Sequence, residues 1–176
     1  MMKDILEKAK NIELVIFDVD GVMTDGSLFM GDNGEEYKAF NSQDGHGMRM
    51  LQEGGVRAAI ITGRSSQVVK HRMKDLGVTL IYQGYRDKRP AFESLLQSVA
   101  LKPEQVAYVG DDVVDLPIMS QVGLAIAVQD AHAFVKQHSH WITPRNGGRG
   151  AVRDVCEMML EARGLLADKL ASYLQP

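Results

Sequence analysis

A chain of 176 residues, 45% hydrophobic and 24% charged, has the length and apolar content to bury a proper core, and is read as one domain spanning 1–176. Its net charge of −3, with acids and bases interspersed, leaves no footprint for nucleic acid, and no apolar run approaches the length of a membrane span. The single cysteine, Cys156, excludes an intrachain disulfide and fits a reducing compartment.

Residues 3–10 have the spacing of a short amphipathic helix. The stretch Met1–Lys8 carries acids where a secretory signal needs an apolar region, so the expected location is cytoplasmic. Leu14-Val15-Ile16-Phe17 then reads as a fully buried parallel strand that stops abruptly at Asp18-Val19-Asp20-Gly21. Alternation puts Asp18 and Asp20 on one face at the carboxyl end of that strand, where ligands bind an open α/β sheet. Two like charges so close require a compensating cation or a retained proton, so the pair points to a hard metal, an acid/base couple, or both. The competing reading is a pair of loop carboxylates that cap the next helix or face solvent.

Two short β-prone runs around Gly31-Asp32-Asn33-Gly34 predict a β-hairpin flap over about 26–41. Asn41–Gly47 is a polar junction before a helix ended by Gly54-Gly55. Val56–Ile61 predicts a strand followed at once by Thr62-Gly63-Arg64, and Val68, Val69, Met73 and Leu76 mark a helix of 3.6 period. Strands follow at 79–82, 106–109 and 124–127, with helices near 90–100, 115–122 and 130–137, and Trp141-Ile142 completes the alternation. Strands alternating with helices mean βαβ units and a doubly wound, mainly parallel α/β sheet. Asn146–Gly150 is too glycine-rich for a packed element and leads into a helix over about 151–163; the tail 164–176 carries no strong signal.

Polar residues thus follow three strand-like runs: Asp18 and Asp20, Thr62, and Asp111 with Asp112, while Lys88 lies in a loop between the last two. In a parallel sheet these converge on one crevice. Two acid pairs, a hydroxyl and an ammonium suit phosphoryl transfer, which consists mostly of positioning and charge neutralisation. Magnesium takes oxygen ligands and is usually held by one or two carboxylates with substrate phosphate.

Phe-Asp-Val-Asp-Gly-Val-x-Thr-Asp-Gly, Ile-Thr-Gly-Arg, an isolated Lys and Val-Gly-Asp-Asp-x-x-Asp-Leu-Pro, in this order from about residue 12 to 155, resemble the four motifs of the haloacid dehalogenase superfamily. Within it, the hairpin in place of a cap domain and the Asn-Gly-Gly-Arg-Gly-Ala-Val-Arg segment resemble the 3-deoxy-D-manno-octulosonate 8-phosphate phosphatases of lipopolysaccharide synthesis. The resemblance implies that Asp18 is the nucleophile that forms an aspartyl-phosphate and that Asp20 protonates the leaving alkoxide, then deprotonates water. It implies magnesium held by the Asp18 carboxylate, the Asp20 backbone carbonyl and Asp111. Asp112 and Asp115 would orient these ligands or Lys88, while Thr62 and Lys88 bind the phosphoryl group.

Asn41, Ser42, Gln43, Asp44, Gly45, Arg49, Arg64 and Arg72, with Asp20 and Lys88, match the family's substrate contacts, although Arg49 and Arg72 also read as ordinary helix-surface cations. A homotetramer is implied, in which hairpins associate and a neighbour's carboxyl-terminal segment covers the crevice. The rival readings are a phosphatase of another sugar acid such as an acylneuraminate 9-phosphate, a phospho-receiver module, and a silent oligomeric domain.

Overall fold

A computed structural model describes residues 2–175. Helix α1 (Met2–Lys10), which buries Ile5 and Ala9, leads into β1 (Leu14–Phe17). There follow β2 (Phe29–Met30), β3 (Glu36–Tyr37), α2 (Ser42–Glu53), β4 (Arg57–Thr62), α3 (Gln67–Asp75), β5 (Leu80–Gln83), α4 (Arg89–Val99) and β6 (Val106–Gly110). After these come α5 (Leu116–Met119), β7 (Leu124–Ala127), α6 (Ala133–Gln137), β8 (Trp141–Ile142), α7 (Ala151–Ala162) and α8 (Leu166–Ser172).

Among the described residues the main sheet runs β5-β4-β1-β6-β7-β8, and every pairing in it is parallel. All four β1 side chains are fully buried, which is why the run is uninterruptedly apolar: β4 and β6 flank it, and helices cover both faces. The chain steps outward from β1 through β4 to β5, then crosses back to β6 on the other side of β1. Right-handed crossovers therefore put α2 and α3 on one face and α4, α5 and α6 on the other. α7 returns to pack on α2 and α1. The reversal of strand order leaves a crevice at the carboxyl end of β1, bounded by β4 and β6.

The segment between β1 and α2 holds a two-stranded antiparallel hairpin that pairs with itself alone, Phe29 with Tyr37 and Met30 with Glu36. The structure departs from the sequence expectations in three places. α2 begins at Ser42, with Asn41 as its cap accepting from the Gln43 and Asp44 amides, so most of the supposed junction is helix. The helix expected over 115–122 is a 3₁₀ turn (Val113–Asp115) followed by the single turn of α5. The tail, where no strong signal is read, forms α8, which buries none of its residues: Leu170 stays 42% exposed.

Candidate active site

Asp18 leaves β1 with its amide still bonded to the Val109 carbonyl (3.1 Å), Thr62 closes β4, and Asp111 follows the last residue of β6. Lys88 sits at the amino-terminal boundary of α4, where Pro90 at the second helical position suits a helix start. Asp18, Asp20, Thr62, Arg64, Lys88, Asp111 and Asp112 line one open crevice of roughly 670 Å³.

The floor of this crevice is charged and almost dry. Asp18, Thr62 and Lys88 are 6%, 2% and 3% exposed, and Asp115 beneath them is 0% exposed. The Lys88 ammonium lies 3.0 Å from Asp18 Oδ1, donates to Asp115 Oδ1 (2.6 Å), and donates to the Tyr108 hydroxyl (3.1 Å). Tyr108 in turn donates to Asp115 Oδ1 at 2.6 Å, while Asp115 Oδ2 accepts from the amides of Asp111 (3.0 Å) and Asp112 (3.2 Å). Asp115 thus touches both Lys88 and the backbone that carries Asp111. Asp112 is exposed and uses its carboxylate to cap the following turn through the Val113 amide (2.7 Å).

Burial pushes the Asp18 carboxyl up to about 6, although Lys88 pulls it back. Burial also opposes charge on Lys88, but Asp18 and Asp115 outweigh it and hold the ammonium above the usual lysine range. Asp111 is pushed up to about 8, by burial first and then by the charges of Asp18 and Asp115.

Carboxylate oxygens of Asp18, Asp111 and Asp115 all lie within 4.8 Å of one another. Both oxygens of Asp115 are already engaged, so Asp18 and Asp111 remain as open hard donors, the kind magnesium takes. The Asp20 carboxylate is turned to Lys38 (2.5 Å). Gly21 makes the arrangement sterically possible. Its φ is +92°, and a Cβ there would lie 2.1 Å from Asp111 Oδ2. The glycine-rich stretch backs the acidic loop: the Gly148 amide donates to the Val22 carbonyl (2.9 Å), and a Cβ on Gly147 would meet the Gly21 carbonyl oxygen at 1.7 Å.

Comparison with known proteins matches residues 80–155 to the haloacid dehalogenase-like hydrolase family. The 3-deoxy-D-manno-octulosonate 8-phosphate phosphatase KdsC of Escherichia coli K12 is 50% identical over 163 residues, covering 93% of this chain and 87% of the relative. The chain belongs to the 3-deoxy-D-manno-octulosonate 8-phosphate phosphatase family. The Yersinia pestis member superposes with a TM-score of 0.91 at 49% identity, covering 93% of this chain and 89% of that one. The Moraxella catarrhalis member, solved with magnesium ion, phosphate ion and a KDO molecule, gives a TM-score of 0.95 at 40% identity over 98% and 99% of the two chains.

The remaining residues that match the family's substrate contacts do not line this chain's own crevice. Asp44 is 2% exposed and caps α7, accepting from the Arg153 amide (2.9 Å), and so stands apart from this crevice. Gly45 is buried against the Arg72 guanidinium, which bonds the Asn41 carbonyl (3.4 Å) and lies over the Phe40 ring. Ser42 is exposed at the start of α2, and Gln43 accepts from Arg145 at 3.4 Å. Arg49 bonds the Asp75 carbonyl (2.6 Å) at the end of α3. Of the three arginines only Arg64 reaches the crevice.

Sequence reasoning missed Arg86, which lines the crevice two residues before Lys88, and Tyr108, which had the look of a core strand residue. It also missed Lys38, whose only signal is a lone cation on the returning arm of the hairpin. Cys156 is fully buried, and burial pushes its thiol well up, as suits a core residue.

Proposed function

We propose that this chain hydrolyses 3-deoxy-D-manno-octulosonate 8-phosphate to the free sugar acid and phosphate, with magnesium, through an aspartyl-phosphate on Asp18, as a step of lipopolysaccharide synthesis. The observation that carries the reading is the Asp18–Lys88 pair: a buried carboxylate at the mouth of β1 with an ammonium 3.0 Å away and a second acid, Asp20, two residues on. The printed names of the relatives in Escherichia coli and Yersinia pestis, and the KDO and magnesium in the Moraxella structure, support it.

Asp18 attacks phosphorus as the bond to the sugar oxygen breaks, and Asp20 gives that oxygen its proton. Asp20 then takes a proton from the water that hydrolyses the acyl phosphate, and Asp18 is regenerated. Lys88 keeps its charge against the phosphoryl oxygens, and Thr62 offers them a hydroxyl. Asp18, Asp111 and the Asp20 carbonyl would hold magnesium, which when bound neutralises charge on the phosphoryl group. Arg64 stands at the rim, 42% exposed in its side chain, where the sugar carboxylate needs a partner.

A homotetramer belongs to this proposal. Leu28, Phe29, Met30 and Tyr37 of the hairpin are 48–64% exposed, an apolar surface suited to a second copy. Such packing would bring a neighbour's residues over the open crevice and give the Asn41–Gly45, Arg49 and Arg72 group a site to serve. No helix among the described residues is long and apolar enough to cross a membrane, and the proposed location is the cytoplasm. Asp18→Asn tests the mechanism: the fold is retained, and phosphate release and acid-stable phosphoprotein are both lost. Full turnover by that variant would end the covalent scheme.

A further inference from the structure

We propose that Lys38 is a positioning residue for Asp20, and that the hairpin serves to deliver it. The proposal rests on reading Asp20 as the acid and base of the reaction. Phe29, Met30 and Tyr37 of the hairpin are each more than half exposed, and its strands bond only to each other. Lys38, one residue past β3, behaves differently: its side chain is 1% exposed, with Nζ 2.5 Å from Asp20 Oδ1 and 3.1 Å from Glu36 Oε1. Glu36 Oε1 also accepts from the Arg64 guanidinium at 2.9 Å, and Arg64 Nε stands 3.9 Å from Asp20 Oδ2.

One oxygen of Asp20 is therefore gripped from the hairpin and the other faces a cation from the β4–α3 loop, with Glu36 joining the two cations. A carboxylate alone on a loop rotates among its rotamers; a partner on each oxygen removes that freedom. An ammonium is costly to bury unless it is paired, so the burial of Lys38 depends on these two acids. The same group must serve the departing sugar oxygen and then the water, and misplacing a reacting group by an ångström costs about 10²-fold. The hairpin thus reaches Asp20 through the Lys38 side chain, braced by Glu36.

The test compares Lys38→Met and Lys38→Arg with the unaltered chain at saturating magnesium. Steady-state kcat and KM are measured on 3-deoxy-D-manno-octulosonate 8-phosphate, and first-turnover rates on that substrate and on p-nitrophenyl phosphate, whose phenolate leaves with little need of a proton. Lys38→Met is expected to lower kcat and the first-turnover rate on the sugar phosphate by about 10- to 100-fold, with KM changed by less than about threefold. The first-turnover rate on the aryl phosphate falls far less, and Lys38→Arg restores most of the loss. A kcat within about twofold of the unaltered chain, a loss confined to KM, or equal first-turnover losses on both substrates would overturn the proposal. If Lys38→Met does not fold, Glu36→Gln, which cuts the tie between the cations, is measured in the same way; it is expected to show a smaller loss of the same pattern, and no loss would overturn the proposal. An Asp20→Asn variant that keeps its first-turnover rate on the sugar phosphate would refute the reading of Asp20 itself, whatever the Lys38 variants do.

Discussion

Lys88 and Asp115 form an ion pair out of reach of water: Nζ and Oδ1 are 2.6 Å apart, and the two side chains are 2% and 0% exposed. The pair sits directly under Asp18, and the other oxygen of Asp115 holds the amides of Asp111 and Asp112. One carboxylate thereby places both the ammonium that faces Asp18 and the loop that carries Asp111. Removing one partner of a buried pair leaves the other charge uncompensated. Lys88→Met is expected to destabilise the fold by about 3–5 kcal/mol in urea unfolding. Its phosphate release should fall by at least about 10²- to 10³-fold. Asp115→Asn loses the charge and sets an amide N–H against donors where one acceptor oxygen stood, but it leaves Lys88 paired with Asp18, so its phosphate release should fall less than that of Lys88→Met.

Gly21 links backbone geometry to metal affinity. Alanine at φ +92° is strained by roughly 1–2 kcal/mol, and its methyl would collide with Asp111 Oδ2. Gly21→Ala should therefore push Asp111 aside and weaken magnesium binding by about tenfold or more, with part of the activity recovered at high magnesium. Calorimetric titration and a magnesium dependence of turnover check this together.

The elevated Asp111 pKa, about 8, sets a pH dependence. With Asp111 as the proposed magnesium donor, a carboxyl that holds its proton near neutrality in the metal-free protein gives it up on binding, and close to one proton is expected to be released per ion at about pH 7. Apparent affinity should rise as pH climbs toward 8 and then level off. Without metal, a folded pKa above the unfolded value means the folded state binds more protons between about 4 and 8. Stability of the metal-free chain therefore falls as pH rises through that window, and magnesium should restore it most strongly at the upper end. Thermal unfolding at pH 6 and pH 8, with magnesium and with chelator, measures the effect.

What could be read from the sequence was what local patterning encodes. The runs 14–17, 56–61 and 106–109 end where polar residues begin, and so they located Asp18, Thr62 and Asp111 at the mouths of β1, β4 and β6. Lys38 and Arg86 are cations in connecting segments with no motif around them, and their placement depends on how the hairpin and the β5–α4 loop fold back. The start of α2 was hidden by Gly45 and Gly47, weak helix formers; Gly45 lies against Arg72, where a Cβ would come within 2.2 Å of the guanidinium. Asp44 was named through the family's substrate contacts alone; its bond to the Arg153 amide at the start of α7, more than a hundred residues later, leaves no mark in local patterning. α8 was legible only as the spacing of Leu166, Leu170 and Tyr173, which went unread; none of its residues is buried, and its neighbourhood is held by polar links, Lys169 to Glu53 and Tyr173 to His46.

Phosphate release from 3-deoxy-D-manno-octulosonate 8-phosphate, beside a panel of other sugar phosphates including an acylneuraminate 9-phosphate, with magnesium and with chelator, tests the central claim most directly. The account predicts rapid release that requires magnesium and strongly prefers the eight-carbon sugar acid phosphate. Metal-independent release, preference for another member of the panel, or no release from any of them would contradict it.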